Sequence, residues 1–377
     1  MRFILTGILL LEILIFFSCN TQTKSDNKKI ASFFIAGNIQ GMDTGYVFLS
    51  HTKNDTALID TAYVRNGKFT FKVKATEPGL FTLTLENNNQ SLDFFVENAN
   101  IHINAVKDSI NWSEVKGSKS EEQYLELQKL TAPFEEQKAQ LSLYYSIAEK
   151  NKSVSQIDSL IKVWYSIDQK EKLTIADYCK NNSSIVCAYV VFMKFINRQH
   201  KFDINLLSSL FNGFNAQTQN SYYGKKIKKA IETAEKLQIG ANAPDFTENT
   251  SDDKLVSLSS LKGKAVLLDF WASWCGPCRA QNPSIVNLYN KYNKNNFTIV
   301  SVSFDTDKEL WIKAIQKDKL NWINVSDLQT FYSNKVGKLY NIQAIPTNYL
   351  IDKKGEIIGQ ELSIKQLDST LQNITNN

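Results

Sequence analysis

Histidine and cysteine are both scarce in this sequence of 377 residues. The three histidines are His51, His102 and His200, and none lies near the closely spaced pair Cys275 and Cys278. A structural zinc site needs four ligands, commonly from a second CxxC or a pair of histidines. The sequence therefore predicts no metal site. Five cysteines are also too few for so long a chain to be a disulfide scaffold, so apolar burial must hold the core.

The chain also lacks a dense cluster of basic residues interleaved with aromatic ones. Its formal net charge is only +5, and we therefore expect no nucleic-acid partner. Hydrophobic residues make up 43% and charged residues 21% of the chain, which is typical of a folded globular protein. The length indicates two or three domains.

The apolar stretch at the N-terminus is short for a membrane span. In MRFILTGILLLEILIFFSCN, Arg2 precedes a mostly apolar run that Glu12 interrupts, whereas a bilayer needs about 20 apolar residues. This layout, with Ser18 before Cys19, is typical of a secretory signal and resembles a bacterial lipoprotein signal. The resemblance implies that residues 1–19 are that signal, that Cys19 is lipidated, and that the protein is anchored in the cell envelope facing the periplasm. An uncleaved membrane anchor is the alternative.

The next segments change from polar to strand-like. Residues 20–29 are polar and aperiodic, as in a flexible tether. Residues 30–115 alternate with period two, and Asn66-Gly67 is a strong hairpin signal. We predict a small antiparallel β-sandwich or barrel here. The order I-x-G-x-I-x-G, ID-x-A-x-V-x-NGKF-x-F and FF-x-E resembles that of an uncharacterised β domain that precedes thioredoxin-like domains in many bacterial lipoproteins.

The remainder of the chain divides into a helical and an α/β part. Residues 118–237 have apolar side chains three or four apart, which predicts helices. The run NNSS at 181–184 should end one helix and cap the next. Residues 238–377 alternate strands and helices, with a CxxC at the start of the first of these helices, which indicates a thioredoxin-like α/β fold.

The motif WCGPC has four possible uses, of which redox exchange explains the most residues. A zinc site would lack ligands. Attachment of a c-type haem needs a histidine directly after Cys278, where this chain has Arg279. A static disulfide stays possible. At a helix start, Cys275 would be stabilised as a thiolate, and Pro277 fits the first turn. Gly276 leaves the sulfur open to a substrate disulfide, and Cys278, one turn on, can resolve the mixed disulfide. Such chemistry needs no cofactor.

Two residues outside the motif support this interpretation. Asp269 lies in the apolar strand before it, where a buried carboxylate is costly unless it is used, so we expect it to exchange a proton with Cys278. An exposed strand end is the alternative. Ile345-Pro346 precedes a strand, and a cis-proline there would present the backbone of residue 345 to an extended peptide. A proline at this position can also be merely structural.

These motifs together resemble the TlpA/ResA-type membrane-tethered thiol–disulfide oxidoreductases of the thioredoxin superfamily. The resemblance covers residues 238–377, in IGANAPDFT, DFWASWCGPCRAQNPS, IVSVSFD and IQAIPTNYLID. It implies that Cys275 is the nucleophile, that Cys278 resolves, and that the two form the redox-active disulfide. It also implies that Pro346 is the cis-proline beside them. The substrate-binding residues are expected to be Trp274, Gly276, Pro277 and Ile345.

Two departures from those relatives shape the expected function. Gln281 stands three residues after the second cysteine, where many members that serve cytochrome c maturation carry Glu. Asp269 matches the buried acid of thioredoxin itself, whereas several of those relatives have Asn at this position. We therefore expect a general reductase of protein disulfides, recharged by a transmembrane electron donor of the DsbD type. The alternative is an envelope-binding lipoprotein whose redox domain only maintains its partner. A peroxidase is disfavoured because the peroxidatic Pro-x-x-x-Thr/Ser-x-x-Cys pattern is absent.

Cys179 and Cys187 flank the predicted helix break. In one continuous helix they would be about 12 Å apart, too far for a bond, although across a turn they could meet. Both lie among apolar residues, so we favour buried free thiols.

Overall fold

A computed structural model describes residues 32–53, 55–74, 77–197, 202–294 and 296–375 of the chain. The predicted signal at 1–19, its Cys19 and the tether at 20–29 lie outside the described residues.

The N-terminal part forms one eight-stranded sheet in the order β6-β5-β2-β3-β4-β1-β7-β8. The strands are β1 Phe33–Gln40, β2 Thr44–Lys53, β3 Thr56–Arg65, β4 Lys68–Val73, β5 Gly79–Leu85, β6 Ser91–Val96, β7 Ile101–Val106 and β8 Glu114–Lys116. Buried and exposed residues alternate along β1 and β4, because successive side chains of a strand point to opposite faces. The buried residues form a single core to which β1 to β7 all contribute.

The turn between β3 and β4 is the hairpin that Asn66-Gly67 predicts. Both residues have positive φ, 50° and 75°, as a type I′ turn requires, and Arg65 pairs with Lys68 across it. The expectation of a purely antiparallel arrangement was wrong in one place, because β1 runs parallel to β7. Five strands separate the two, and a parallel pair needs such a long connection; a local period-two pattern does not reveal the direction of a distant partner.

Helices form the middle of the chain: α1 Lys119–Lys150, α2 Val154–Asn181, α3 Ile185–Val191, α4 Ile204–Gly213, α5 Ala216–Asn220 and α6 Tyr222–Leu237, with a π-helical turn at Phe192–Ile196. The NNSS run acts as predicted, since α2 ends at Asn181 and the Ser184 hydroxyl accepts the Cys187 N–H at 3.1 Å. The helices pack on the sheet through Phe95 of β6, which belongs to their core and whose N–H donates to Glu121 at 2.7 Å. No helix in the described ranges is both long and apolar enough to cross a bilayer.

The C-terminal part has the thioredoxin-like α/β architecture. Its elements are β9 Thr247–Asn249, β10 Leu255–Ser257, β11 Ala265–Trp271, α7 Gly276–Tyr292, β12 Phe297–Ser303, α8 Lys308–Asp318, β13 Ile323–Val325, α9 Lys335–Leu339, β14 Thr347–Ile351, β15 Ile357–Gln360 and α10 Ile364–Thr375. The central sheet has the order β13-β12-β11-β14-β15. Strands β11, β12 and β13 are parallel, and β14 and β15 are antiparallel to their neighbours. Apolar cores lie on both faces, one with α7 and α10 and the other with α8 and α9.

Candidate active site

The two cysteines of the CGPC motif lie at the start of α7 and are joined by a disulfide. The helix begins at Gly276, so Cys275 is its N-cap, and the Cys278 N–H donates to the Cys275 sulfur at 3.2 Å. Pro277 occupies the first turn, where its missing N–H leaves no hydrogen bond unmade. The unpaired N–H groups and the positive end of this 17-residue helix favour a thiolate at Cys275 once the disulfide is reduced.

The surface beside Cys275 is open at Gly276 and Trp274. Cys275 is 5% exposed and Cys278 is 2% exposed, so both residues of the disulfide are buried and Cys275 is slightly the more accessible. A side chain added at Gly276 would meet nothing within 4 Å, which agrees with the open approach expected there. Trp274 is 61% exposed and offers an apolar surface next to the disulfide.

Asp269 is a buried acid in the middle of β11. It is only 4% exposed, so the alternative of an exposed strand end was wrong. Leu267, two residues earlier, packs in the core that contains Ile285 of α7, and alternate residues of a strand share a face. Asp269 therefore lies on the face of the sheet that α7 helps to cover. Burial raises the pKa of Asp269 to about 7, against the opposing effect of a hydrogen bond from Ser301.

A short hydrogen-bond chain, which sequence reasoning missed, leads to this carboxyl. The Ser301 hydroxyl donates to Asp269 Oδ2 at 3.1 Å, and Trp322 Nε1 donates to Ser301 Oγ at 2.8 Å. Ser301 is fully buried and lies directly opposite Asp269 in the β11–β12 pairing. A signal was present in IVSVSF, because serine in an otherwise apolar strand needs a partner when it is buried.

Arg279 and two aspartates fix the turn that carries Cys275. Arg279 donates to Asp318 Oδ1 at 2.7 Å and to the Ser273 carbonyl at 3.0 Å. Asp305 in turn accepts the Ser273 N–H at 2.9 Å and its hydroxyl at 2.5 Å. These partners come from distant points of the chain, so the motif alone could not reveal them. The network holds the chain between β11 and α7 in one position.

The Ile345-Pro346 peptide bond is cis, as the sequence predicts. Pro346 is exposed and directly precedes β14. Ile345 is partly buried and packs against the core cluster that contains both Cys275 and Cys278. The loop before β14 therefore shares a core with the disulfide.

The other two described cysteines lie far along the chain from this site, in the helical region. Cys179 and Cys187 are buried free thiols, which confirms the favoured interpretation. The two thiols lie close enough to interact across the NNSS break. Within the ranges that the structure covers, no group of three or more His, Cys, Asp or Glu side chains is placed to hold a metal ion.

Comparison with known proteins assigns two parts of the chain. Residues 238–374 match the Redoxin family model, and residues 33–124 match a domain of unknown function, DUF4369. A solved structure, the thioredoxin domain of a thiol-disulfide oxidoreductase from Bacteroides vulgatus, is 37% identical, with coverage of 37% of this chain and 99% of that chain and a TM-score of 0.35.

Two curated relatives match the C-terminal part. Thiol-disulfide oxidoreductase ResA from a strain of Bacillus cereus is 35% identical over 145 residues, which are 37% of this chain and 81% of that protein. ResA of Bacillus subtilis is 30% identical over 124 residues, 33% of this chain and 67% of that protein. With a buried acid behind a CGPC disulfide at a helix N-terminus, and with most of a ResA protein matched, the chain belongs to the TlpA/ResA-like family of thiol–disulfide oxidoreductases.

Proposed function

We propose that this protein is a membrane-tethered, extracytoplasmic oxidoreductase that reduces protein disulfides through Cys275 and Cys278. The observation that carries the proposal is the position of Cys275 at the N-cap of α7, where its sulfur accepts the Cys278 N–H. A sulfur held in this way is favoured as a thiolate, which is the nucleophile in disulfide exchange.

The reaction begins with the reduced enzyme. The Cys275 thiolate attacks one sulfur of the substrate disulfide and bonds to it, and the other substrate sulfur leaves as a thiolate that takes up a proton. Cys278 gives its proton to the Asp269 carboxylate, and its sulfur then attacks the Cys275 sulfur. The second substrate sulfur leaves as a thiolate and takes up the proton that Asp269 returns. The substrate has gained two electrons and two protons, and the enzyme is left with the disulfide seen in the structure.

The pKa of Asp269 suits this role. A group that takes a proton and later returns it works best when its pKa is near the working pH, and burial brings that of Asp269 to about 7. The reducing direction is supported by the Gly-Pro pair between the cysteines, which is that of thioredoxin, with a potential of about −270 mV.

Each turnover consumes two electrons, so the enzyme must be recharged. If residues 1–19 export the chain and Cys19 anchors it to lipid, the electrons must cross the membrane. A transmembrane donor of the DsbD type meets that requirement. The location in the envelope and the donor rest on the sequence pattern of the N-terminus and on the chemistry of exchange.

Reduction of insulin by the full chain in detergent tests the proposal. The wild type should accelerate the reaction with dithiothreitol as electron source, whereas Cys275→Ser should not exceed the rate without enzyme. Cys179→Ala is the matched control, since it removes a cysteine outside the site. Equal rates for the wild type and Cys275→Ser would refute the enzymatic role.

Recovery of partners separates the enzyme from a binding protein. Cys278→Ser cannot resolve its mixed disulfide and should accumulate substrates joined to Cys275. If every recovered partner is released by detergent without a reductant, the envelope-binding alternative is favoured instead.

A further inference from the structure

Strand β3 leaves one edge of the N-terminal sheet open. It pairs with β2 along its whole length, Thr56–Arg65, but with β4 only where Arg65 lies opposite Lys68. Within the described ranges, residues 56–64 therefore have no strand on the side that faces away from β2. The residues from Thr56 to Thr61 are all exposed. This part of β3 is thus accessible at its edge as well as on its faces.

The backbone of this edge carries a row of hydrogen-bonding groups that point away from β2. A two-residue turn joins β3 to β4, and the residues that flank such a turn exchange both of their hydrogen bonds. Arg65 therefore directs its N–H and C=O away from β2, and every second residue before it does the same. These residues are Ala57, Ile59, Thr61 and Tyr63. An extended chain is the partner whose donors and acceptors match the spacing of this row.

The edge lacks the features that usually prevent one sheet from pairing with another. Residues 56–64 contain no proline and no lysine, and Asp60 is their only charged residue. The pairing with β2 runs from end to end without a bulge. Ile59 is 66% exposed, and Leu58 and Tyr63 are also exposed. Prolines, lysines and bulges are the common protection of an apolar edge, so this edge is open to strand pairing.

The hairpin that β3 forms with β2 is held at its tip. Asp55 lies in the turn between the two strands and accepts hydrogen bonds from the Tyr222 hydroxyl and from Lys226 Nζ, both at 2.6 Å. Both donors belong to α6. Because the tip is attached to the helical region, the edge is ordered before a partner arrives, and the entropic cost of pairing is lower.

The sequence of β3 is complementary to itself in the antiparallel direction. Arg65 stands at one end and Asp55 directly before the other, so antiparallel pairing of two copies brings the basic end of each near the acidic end of the other. In the register that sets Ile59 opposite Ile59 of the second copy, Asp60 lies opposite Leu58 of that copy. This register joins two exposed isoleucines and keeps the two Asp60 carboxylates from lying directly opposite each other.

We infer that β3 is the interface of a homodimer, in which the β3 strands of two copies pair antiparallel about a two-fold axis at Ile59. The same surface is used on both copies, as a two-fold interface requires, and the two N-terminal sheets become one. The inference is independent of the proposed function. It gives the N-terminal domain the role of bringing two redox domains together.

Sedimentation equilibrium of the full chain, in a solvent that matches the density of the detergent, measures the mass of the assembly. We expect the wild type to have twice the mass of one chain. Ile59→Lys removes the apolar contact and places two like charges at the axis, so it should raise the dissociation constant at least about a hundredfold. The control is Ile147→Lys, the same change at an isoleucine that is 54% exposed on α1, and it should remain a dimer.

Cross-linking tests the register. Ala57 lies opposite Thr61 of the second copy in the proposed pairing, at a separation that a disulfide can span. A chain with Ala57→Cys and Thr61→Cys should therefore form a covalent dimer on mild oxidation, whereas a chain with either change alone should not. All three chains carry Cys179→Ala and Cys187→Ala, and the chain with only these two changes is the blank.

A wild type that sediments as a single chain at concentrations up to about 100 μM would overturn the inference. So would a single chain that gains mass only when a strand-forming peptide is added, because the edge would then serve another protein. A dimer that Ile59→Lys leaves intact would place the interface elsewhere. Equal cross-linking of the double and single cysteine variants would contradict the antiparallel register.

Discussion

Replacement of Asp269 by asparagine should shift the stability of the oxidised protein increasingly in favour of the variant as the pH rises from 5 to 8. The pKa of this buried carboxyl is raised from 3.8 to about 7, so the folded state binds its proton more tightly than the unfolded state does. Burial of this carboxyl costs no stability below pH 3.8, where it is protonated in both states. The free energy of unfolding then falls as the pH rises through 7. The difference in pKa corresponds to about 4 kcal/mol at pH 8, and to about 2 kcal/mol at pH 5.

Asparagine has nearly the same shape but does not ionise, so it removes this pH-dependent penalty. Its amide leaves a hydrogen bond unmade, which costs about 1 to 3 kcal/mol, but that cost is the same at both pH values. The readout is therefore the change in the stability difference between pH 5 and pH 8, expected to be about 2 kcal/mol in favour of Asp269→Asn.

Urea unfolding of the oxidised full chain, followed by tryptophan fluorescence at both pH values, measures this quantity. Asp253→Asn serves as the control, because it makes the same chemical change at an aspartate whose side chain is 76% exposed. If the stability difference of Asp269→Asn changes with pH no more than that of the control, Asp269 does not carry a raised pKa. The proton-transfer role would then lose its basis.

Three further predictions concern other residues. Ser301→Ala removes the hydrogen bond that lowers the pKa of Asp269. The pH at which kcat/KM reaches half its maximum should therefore rise. An unchanged pH profile would contradict the hydrogen bond from Ser301 to Asp269. Gly224→Ala should destabilise the helical region by about 3 kcal/mol in urea unfolding, because the added carbon would lie 2.1 Å from the Thr218 carbonyl oxygen. A variant as stable as the wild type would show that α5 and α6 can separate. Cys19→Ser should abolish labelling of the chain by an alkyne fatty acid in cells, and labelling that persists would exclude Cys19 as the lipidated residue.

The part of the site formed by adjacent residues was predictable from the sequence, because the types and spacing of those residues determine its chemistry. Cys275 must end a loop, Pro277 fits only the first turn, and Cys278 follows one turn later, so the motif specifies the helix start as well as the dithiol. Asp269 could also be found from the sequence, because a lone acid in an apolar strand is costly to bury unless it has a function. The predicted thioredoxin-like fold is confirmed by the sheet order and by the relatives.

What the sequence did not reveal depends on contacts between distant segments. Ser301 and Trp322 reach Asp269 only through strand pairing, and Arg279 meets Asp318 only after α7 and α8 have packed. The parallel pairing of β1 with β7 was missed for the same reason.

The redox state of Cys275 and Cys278 in growing cells tests the reductase assignment most directly. Cells are quenched in acid, denatured and treated with a maleimide that adds mass to each free thiol. The chain carries Cys179→Ala and Cys187→Ala so that the two buried thiols do not contribute. We expect most molecules to carry two labels, because a reductase is kept reduced by its electron donor. A chain that is mostly unlabelled in these cells would contradict the account and indicate an oxidase.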